Sequence, residues 1–182
     1  MPLNPQDRAE LVRLARAAVE AKVRNQPLPT VGDVSGVLAE RRGCFVTLTN
    51  EGHLRGCIGT FQPDRPLGPM VVEMGAAAAH DPRFVYNRIQ PGELSRLKID
   101  VSVLSPLMET AEPEKLLIGT HGIYITDGLR AGCFLPEVAT DMGWSAEEFL
   151  DQCCNGKAGM PPGTWRKTGV QVYLFTSEKF SE

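Results

Sequence analysis

Apolar residues first recur at helical spacing. Leu11, Leu14, Ala15, Ala18 and Val19 fall on one face of a 3.6-residue period. Upstream, Asn4-Pro5-Gln6-Asp7 supplies a start signal: Asn caps, Pro suits the first helical position, and an acid favours the first turn. A helix is predicted, followed by a Pro/Gly loop from Asn25 to Asp33 and a short helical turn between Val34 and Arg42. The period then shortens to two. CFVTLT and HLRGCIGTF flank Asn50-Glu51-Gly52 and predict a hairpin between Gly43 and Phe61. With a three-residue loop and Gly52 left-handed, Thr49 opposes His53, Leu48 opposes Leu54, Thr47 opposes Arg55, Val46 opposes Gly56 and Phe45 opposes Cys57. Val46, Leu48, Leu54 and Ile58 then form a core face, with Phe45, Thr47, Arg55 and Cys57 on the other. A two-residue loop would pair Leu48 with Arg55 and mix the faces, which favours the longer loop.

Asp64-Arg65-Pro66-Leu67 opens a second helix, with Met70, Met74, Ala77 and Ala78 at helical spacing among small and apolar neighbours. Such a helix is expected to be buried, and it stops at His80-Asp81-Pro82. One helical turn is expected from Pro91 to Leu97. KIDVSVLS, Lys98 to Ser105, places Ile99, Val101 and Val103 on one face of a half-buried strand. After a loop from Pro106 to Pro113, a second hairpin runs from Gly122 to Pro136 and turns at Asp127-Gly128. It echoes the first (a turn, then Leu-Arg, then Gly-Cys), a weak sign of an internal repeat. A short helix is expected from Glu137 to Met142. Ser145 to Glu148 is a capping box that starts another helix at Ala146, with Trp144 stapled against Phe149 and an end near Asn155-Gly156. KAGMPPGTW is a loop, and Val170 to Thr176 is a last strand. Helices intermixed with hairpins predict an α+β (α/β) fold, a largely antiparallel sheet flanked by helices.

Composition narrows the function classes. The 182 residues suit one domain, residues 1–182, with room for a small extra lobe. Net charge is −3 and no Lys/Arg block exists, which argues against a broad grip on nucleic acid while leaving a local basic pocket open. No apolar run approaches the roughly 20 residues of a bilayer span, and the N-terminus lacks a signal peptide's apolar stretch. A cytoplasmic chain with no membrane contact is expected. The five cysteines include no CxxC, and the three histidines form no HxxxH or HExxH, so neither a disulfide framework nor a metal site is read. No Walker motif or GxGxxG supports nucleotide binding, and the residues name no cofactor.

The candidate chemistry centres on LRGCIG. Arg55 and Cys57 alternate onto one face, about 7 Å apart at ~3.3 Å per residue. Arg55 can lower the pKa of the Cys57 thiol and activate it as a nucleophile, or hold a carboxylate or phosphate by its fork. The plainer reading has Cys57 filling a gap and Arg55 paired with an acid. Gly56 and Gly59 interrupt the strand, as happens at a bulge or where a backbone or ligand comes close. His80 can act as general base to Cys57 with Asp81 orienting it. Alternatively Asp81 caps, or pairs with Arg83. Arg83 and Phe84 read as a packing pair or a pocket wall. Lys157 and Trp165 read as a stacking surface, or as a solvated lysine and an anchored lid. Cys133 is assigned to the core.

LRGCIGTF, DPRF, IDVSVLS, LPEVA, GWSAEEFL, KAG and the following Trp occur in this order, and in this the chain resembles the AMMECR-one domain family from about Leu11 to Phe180. The resemblance implies a two-lobed domain with an antiparallel sheet and the LRGCIG strand at a groove between a larger and a smaller lobe. A ligand- or substrate-binding groove is expected there, and the residues themselves offer Arg55, Gly56, Gly59, Asp81, Arg83 and Lys157 as binding candidates for a small anionic ligand. Cys57 and His80 are the catalytic candidates. The resemblance also brings in a Memo-like protein and a radical SAM protein as partners, and an adaptor role without catalysis as an alternative. No activity is implied.

Overall fold

The computed structural model describes residues 3–32 and 34–182. Along the chain lie α1 (Pro5–Val23), β1 (Cys44–Asn50), β2 (His53–Thr60), α2 (Leu67–Ala79), β3 (Leu97–Leu104), β4 (Met108–Glu109), β5 (Gly122–Thr126), β6 (Ala131–Phe134), α3 (Pro136–Met142), α4 (Ala146–Cys153), β7 (Gln171–Phe175) and β8 (Ser177–Ser181). Short 3-10 turns include Gly36–Ala39, Pro82–Phe84 and Pro91–Arg96. The α+β class is as predicted, but the strands form two four-stranded sheets, ordered β2-β1-β3-β8 and β4-β7-β5-β6. The chain divides into two compact units, residues 1–104 with 178–182, and residues 105–177. The patterning did not reveal β4, which is only two residues long, or β8, whose sequence SEKFS is mostly polar.

In the first unit the expected cap is present: the Asn4 side chain accepts the Asp7 N–H at 2.8 Å, and Asp7 accepts the Asn4 N–H at 3.2 Å. These bonds satisfy two donors that a helix start leaves open. Leu11, Leu14, Ala15, Ala18 and Val19 are buried and share one core with Val71 and Met70 of α2 and with Val46, Leu48, Ile99, Val101 and Val103 of the sheet.

The first hairpin departs from the expected register. Glu51 (φ 51°) and Gly52 (φ 82°) form a two-residue turn with both central residues left-handed, a geometry whose twist matches the flanking strands. Asn50 therefore opposes His53 and Thr49 opposes Leu54; then the register slips, so that Leu48 opposes Gly56 and Thr47 opposes Cys57. Residue 55 is the extra one, a β-bulge. The bulge cures the face-mixing that argued for a longer loop. It also removes Leu54 from the core: that side chain is 41% exposed, while Val46 and Leu48 are fully buried and Ile58 packs beside them. The β3 strand is also not half-buried as expected. Asp100 and Ser102 are buried along with Ile99, Val101 and Val103.

In the second unit Ile123, Ile125, Phe149, Leu150, Trp165 and Val172 form the core. The second hairpin pairs Ile123 with Phe134 and Thr126 with Ala131 across a turn at residues 127–130. The α4 capping box is present: the Glu148 N–H donates to Ser145 Oγ and the Ser145 N–H to the Glu148 carboxylate. Trp144 and Phe149, the expected staple pair, pack in one cluster with Phe134. Phe134 takes both partners, with ring centroids 5.8 Å from Trp144 and 5.6 Å from Phe149. Beyond α4, residues Cys154–Ala158 form a π-helical turn that ends at left-handed Gly159 (φ 65°).

Candidate functional site

β2 lies at the edge of the first sheet, so its outward backbone groups need partners beyond a neighbouring strand. The DPRF segment provides them for Cys57. Asp81 caps the turn Pro82–Phe84, and its carboxylate accepts the Arg83 N–H at 3.0 Å and the Cys57 N–H at 3.0 Å. The Arg83 guanidinium donates to Asp81 Oδ2 at 2.6 Å and to the Cys57 carbonyl at 3.2 Å. One ion pair thus holds both main-chain groups of Cys57. The carboxylate is buried, with 1% of its side chain exposed, while the Arg83 side chain is 58% exposed. The Arg83 side chain, then the N–H groups of Cys57 and Arg83, hold Asp81 down at about 2 against the opposing effect of burial.

The Cys57 side chain is half-buried, and its Sγ lies 3.2 Å from Thr47 Oγ1 on the directly opposed residue of β1. Burial pushes Cys44 up to about 12 and Cys133 up to about 11, and burial also raises Cys153 and Cys154.

Arg55 does not point outward beside Cys57. As the bulged residue it escapes strand alternation, and its side chain, 10% exposed, forks onto Glu93: Nε to Oε2 at 3.0 Å and Nη2 to Oε1 at 3.0 Å. Its Nη1 donates to the Asn87 carbonyl at 3.1 Å. Glu93 also accepts from Asn50 Nδ2 and the Gln90 N–H, and Arg55 leads the interactions that lower its pKa. The acid that the plainer reading required is therefore Glu93, which the sequence pattern did not single out. Its place two residues after Pro91 and three after a possible capping Gln was the available signal.

The strand glycines also have protein partners. A Cβ on Gly56 would collide with the Ala78 carbonyl of α2, and one on Gly59 would enter the Phe45 ring. The close approach inferred from sequence is thus by a helix end and an aromatic ring. His80 is the C-cap of α2 and lines a shallow cleft with Lys22, Ile58, Ala76, Ala77 and Pro82. Burial, then the nearby Lys22 and Arg88 charges, lower its pKa and favour neutral imidazole. Both Asp81 oxygens go to Cys57 and Arg83, so this carboxylate orients Arg83 rather than His80.

Lys157, in the second unit, sits with Nζ 5.3 Å from the centroid of the Phe134 ring, a cation–π contact. Trp165 is an anchored residue: buried, its Nε1–H donates to Asp151 Oδ1 at 2.7 Å, and the Arg166 guanidinium covers its ring at 3.8 Å. Of the sequence-predicted residues, the fold brings Cys57, Gly56, Asp81 and Arg83 together around β2. It commits Arg55 to Glu93.

Comparison with known proteins places the chain in a family and a fold. The AMMECR1 family profile matches residues 12–180. A protein from Methanothermobacter thermautotrophicus is 39% identical over the whole chain and 97% of its own length. Another, from Methanopyrus kandleri, is 42% identical over 94% of this chain and 86% of its own. The crystal structure of an uncharacterised protein, PH0010 from Pyrococcus horikoshii, superposes with a TM-score of 0.82 at 36% identity, covering 94% of this chain and 89% of that one. The chain belongs to the AMMECR1 family.

Proposed function

We propose that the polar face of the first sheet, centred on Cys57, is a ligand- or substrate-binding surface and that Cys57 is its reactive thiol. The observation that carries this reading is the contrast among the five cysteines. Cys57 is half-buried, bonded through sulfur to Thr47 and clamped through its backbone by Asp81 and Arg83, whereas Cys44, Cys153 and Cys154 are buried and Cys133 is half-buried. A thiol reacts as its thiolate and must be reached, so accessibility sets aside Cys44, Cys153 and Cys154, and the Thr47 and Asp81–Arg83 contacts single out Cys57 over Cys133. The fixed backbone would hold the sulfur in one place, as nucleophilic catalysis requires. The test is alkylation of the folded chain with limiting iodoacetamide at pH 8, read by peptide mass. Carbamidomethylation is expected first at Cys57. Labelling of Cys57 no faster than of Cys133 would remove the proposal.

A second reading, a binding subunit for another protein, is favoured by one feature: Tyr86, two residues after DPRF, is fully exposed, and Val85 is 46% exposed. The Memo-like and radical SAM proteins are the partners to try. Loss of capture by Tyr86→Ala with unchanged melting would support this reading, and intact capture would count against it.

A further inference from the structure

Asp100 lies in line with the thiol. Thr47 is the central residue of a row that crosses three strands, opposed by Cys57 on β2 and by Asp100 on β3. The Sγ–Oγ1 contact at 3.2 Å shows that Cys57 and Thr47 share a face, and directly opposed residues of paired strands share a face as well. The reverse face is wholly apolar: Val46, Leu48, Ile99, Val101 and Val103 are each 0% exposed. Asp100 is 7% exposed and Ser102, two residues on, is 4% exposed. Burying a carboxylate is costly unless donors surround it. Asp81 meets that condition, with bonds from Cys57 and Arg83. Asp100 does not. Its partner is Lys98, whose Nζ stands 3.4 Å from Oδ1 and whose side chain is 62% exposed, a longer contact than a charge-assisted bond of about 2.7–2.9 Å.

We infer that Asp100 is the specificity carboxylate of the Cys57 surface, receiving the ammonium or amidinium group of a small cationic ligand whose electrophilic centre meets the thiol. Two inter-strand steps of about 4.8 Å put the two groups roughly 10 Å apart, with the Thr47 hydroxyl between them. The bound cation takes the place of Lys98 at Asp100. Arg83, which reaches the Cys57 carbonyl, is balanced by Asp81. This inference rests on the reading of Cys57 as the reactive thiol.

Charge-matched methanethiosulfonates test it. In each reaction the Cys57 thiolate attacks the sulfenyl sulfur, a mixed disulfide forms, methanesulfinate leaves, and the thiol proton passes to solvent. The ratio of Cys57 rates with the aminoethyl (cationic) and sulfonatoethyl (anionic) reagents is measured in the folded chain and divided by the ratio in urea. It is expected to be roughly tenfold above unity at low salt, and to fall to unity or below in Asp100→Asn, which leaves the Lys98 charge without its acid. Should Asp100→Asn fail to fold, Lys98→Gln serves: freeing Asp100 should raise the ratio above that of the unmodified chain. A reactive Cys57 with no charge preference, or a preference unchanged by Asp100→Asn or by Lys98→Gln, overturns the assignment of Asp100 alone. No reaction at Cys57 with either reagent overturns the reading of the thiol as well.

Discussion

The two hairpins share letters but not physics. Each runs from a turn through Leu-Arg into Gly-Cys, and in each the glycine admits a closely packed segment: the Ala78 carbonyl at Gly56, and the Lys157–Ala158 backbone at Gly132, where a Cβ would stand 2.6 Å from the Ala158 nitrogen. In each the arginine forks onto an acid and gives its Nη1 to a backbone carbonyl. Arg55 goes to Glu93 and Asn87, and Arg130 goes to Asp127 and Gly159. The difference lies in burial. Arg55 is a bulge residue with a 10% exposed side chain and a partner 38 residues away, whereas Arg130 belongs to the turn itself, is 51% exposed and pairs three residues back. The thiols are both half-buried and diverge in their surroundings. Cys57 has a hydroxyl partner and a backbone clamp, while Cys133 is pushed up to about 11 by burial. One short pattern can therefore produce a long-range buried ion pair beside a thiol with a hydroxyl partner, or a local turn beside a thiol whose pKa burial raises.

The largest effect that would break this comparison is at Glu93. Glu93→Ala leaves the Arg55 guanidinium buried without its acid and is expected to destabilise the fold by about 3–5 kcal/mol in urea melts. Arg130→Ala should move the melting temperature far less, because that pair is half in water. Equal effects of Glu93→Ala and Arg130→Ala would show that burial is not what separates the hairpins.

Next in size is Asp81. Its pKa is depressed from the ordinary 3.8 to about 2, so the folded state binds its proton less readily than the unfolded chain. The resulting stability is fully present above pH 3.8 and is lost as pH falls through 2; at neutral pH it is worth ~2 kcal/mol. Asp81→Asn should remove that amount at pH 7, and the stability difference between it and the unmodified chain should shrink as pH falls toward 2. A difference independent of pH would assign Asp81 a purely steric role.

The smallest expected effect sharpens the second hairpin. Lys157→Met exchanges a cation–π contact on Phe134 for an apolar one and should change stability by at most about 1 kcal/mol. A larger loss would reveal a second role for this residue in its π-helical turn.

The helix starts at Asn4 and Ser145, the stop at His80 and the turn at Asp127-Gly128 were all legible in the sequence, because the residues that decide them lie within four positions of one another. The alternation of CFVTLT marked a strand with one greasy face, and the AMMECR-one resemblance rested on motif order. The bulge at Arg55 was not legible. A two-residue and a three-residue reading of Asn50-Glu51-Gly52 differ by one position, and only the joint demands of strand twist and core burial choose between them.

What the chain determines alone is therefore local: which segments are helices or strands, where they begin, and that residue 57 is a thiol between glycine and isoleucine. What that thiol meets was decided by tertiary structure. Thr47 comes to it across a strand pair, and Asp81 and Arg83 reach it after a whole helix, 24 and 26 residues along the chain. Asp100 joins the same row from a third strand. Hydrogen bonds and ion pairs form between groups that folding brings within about 3 Å, and separation along the chain does not fix that distance.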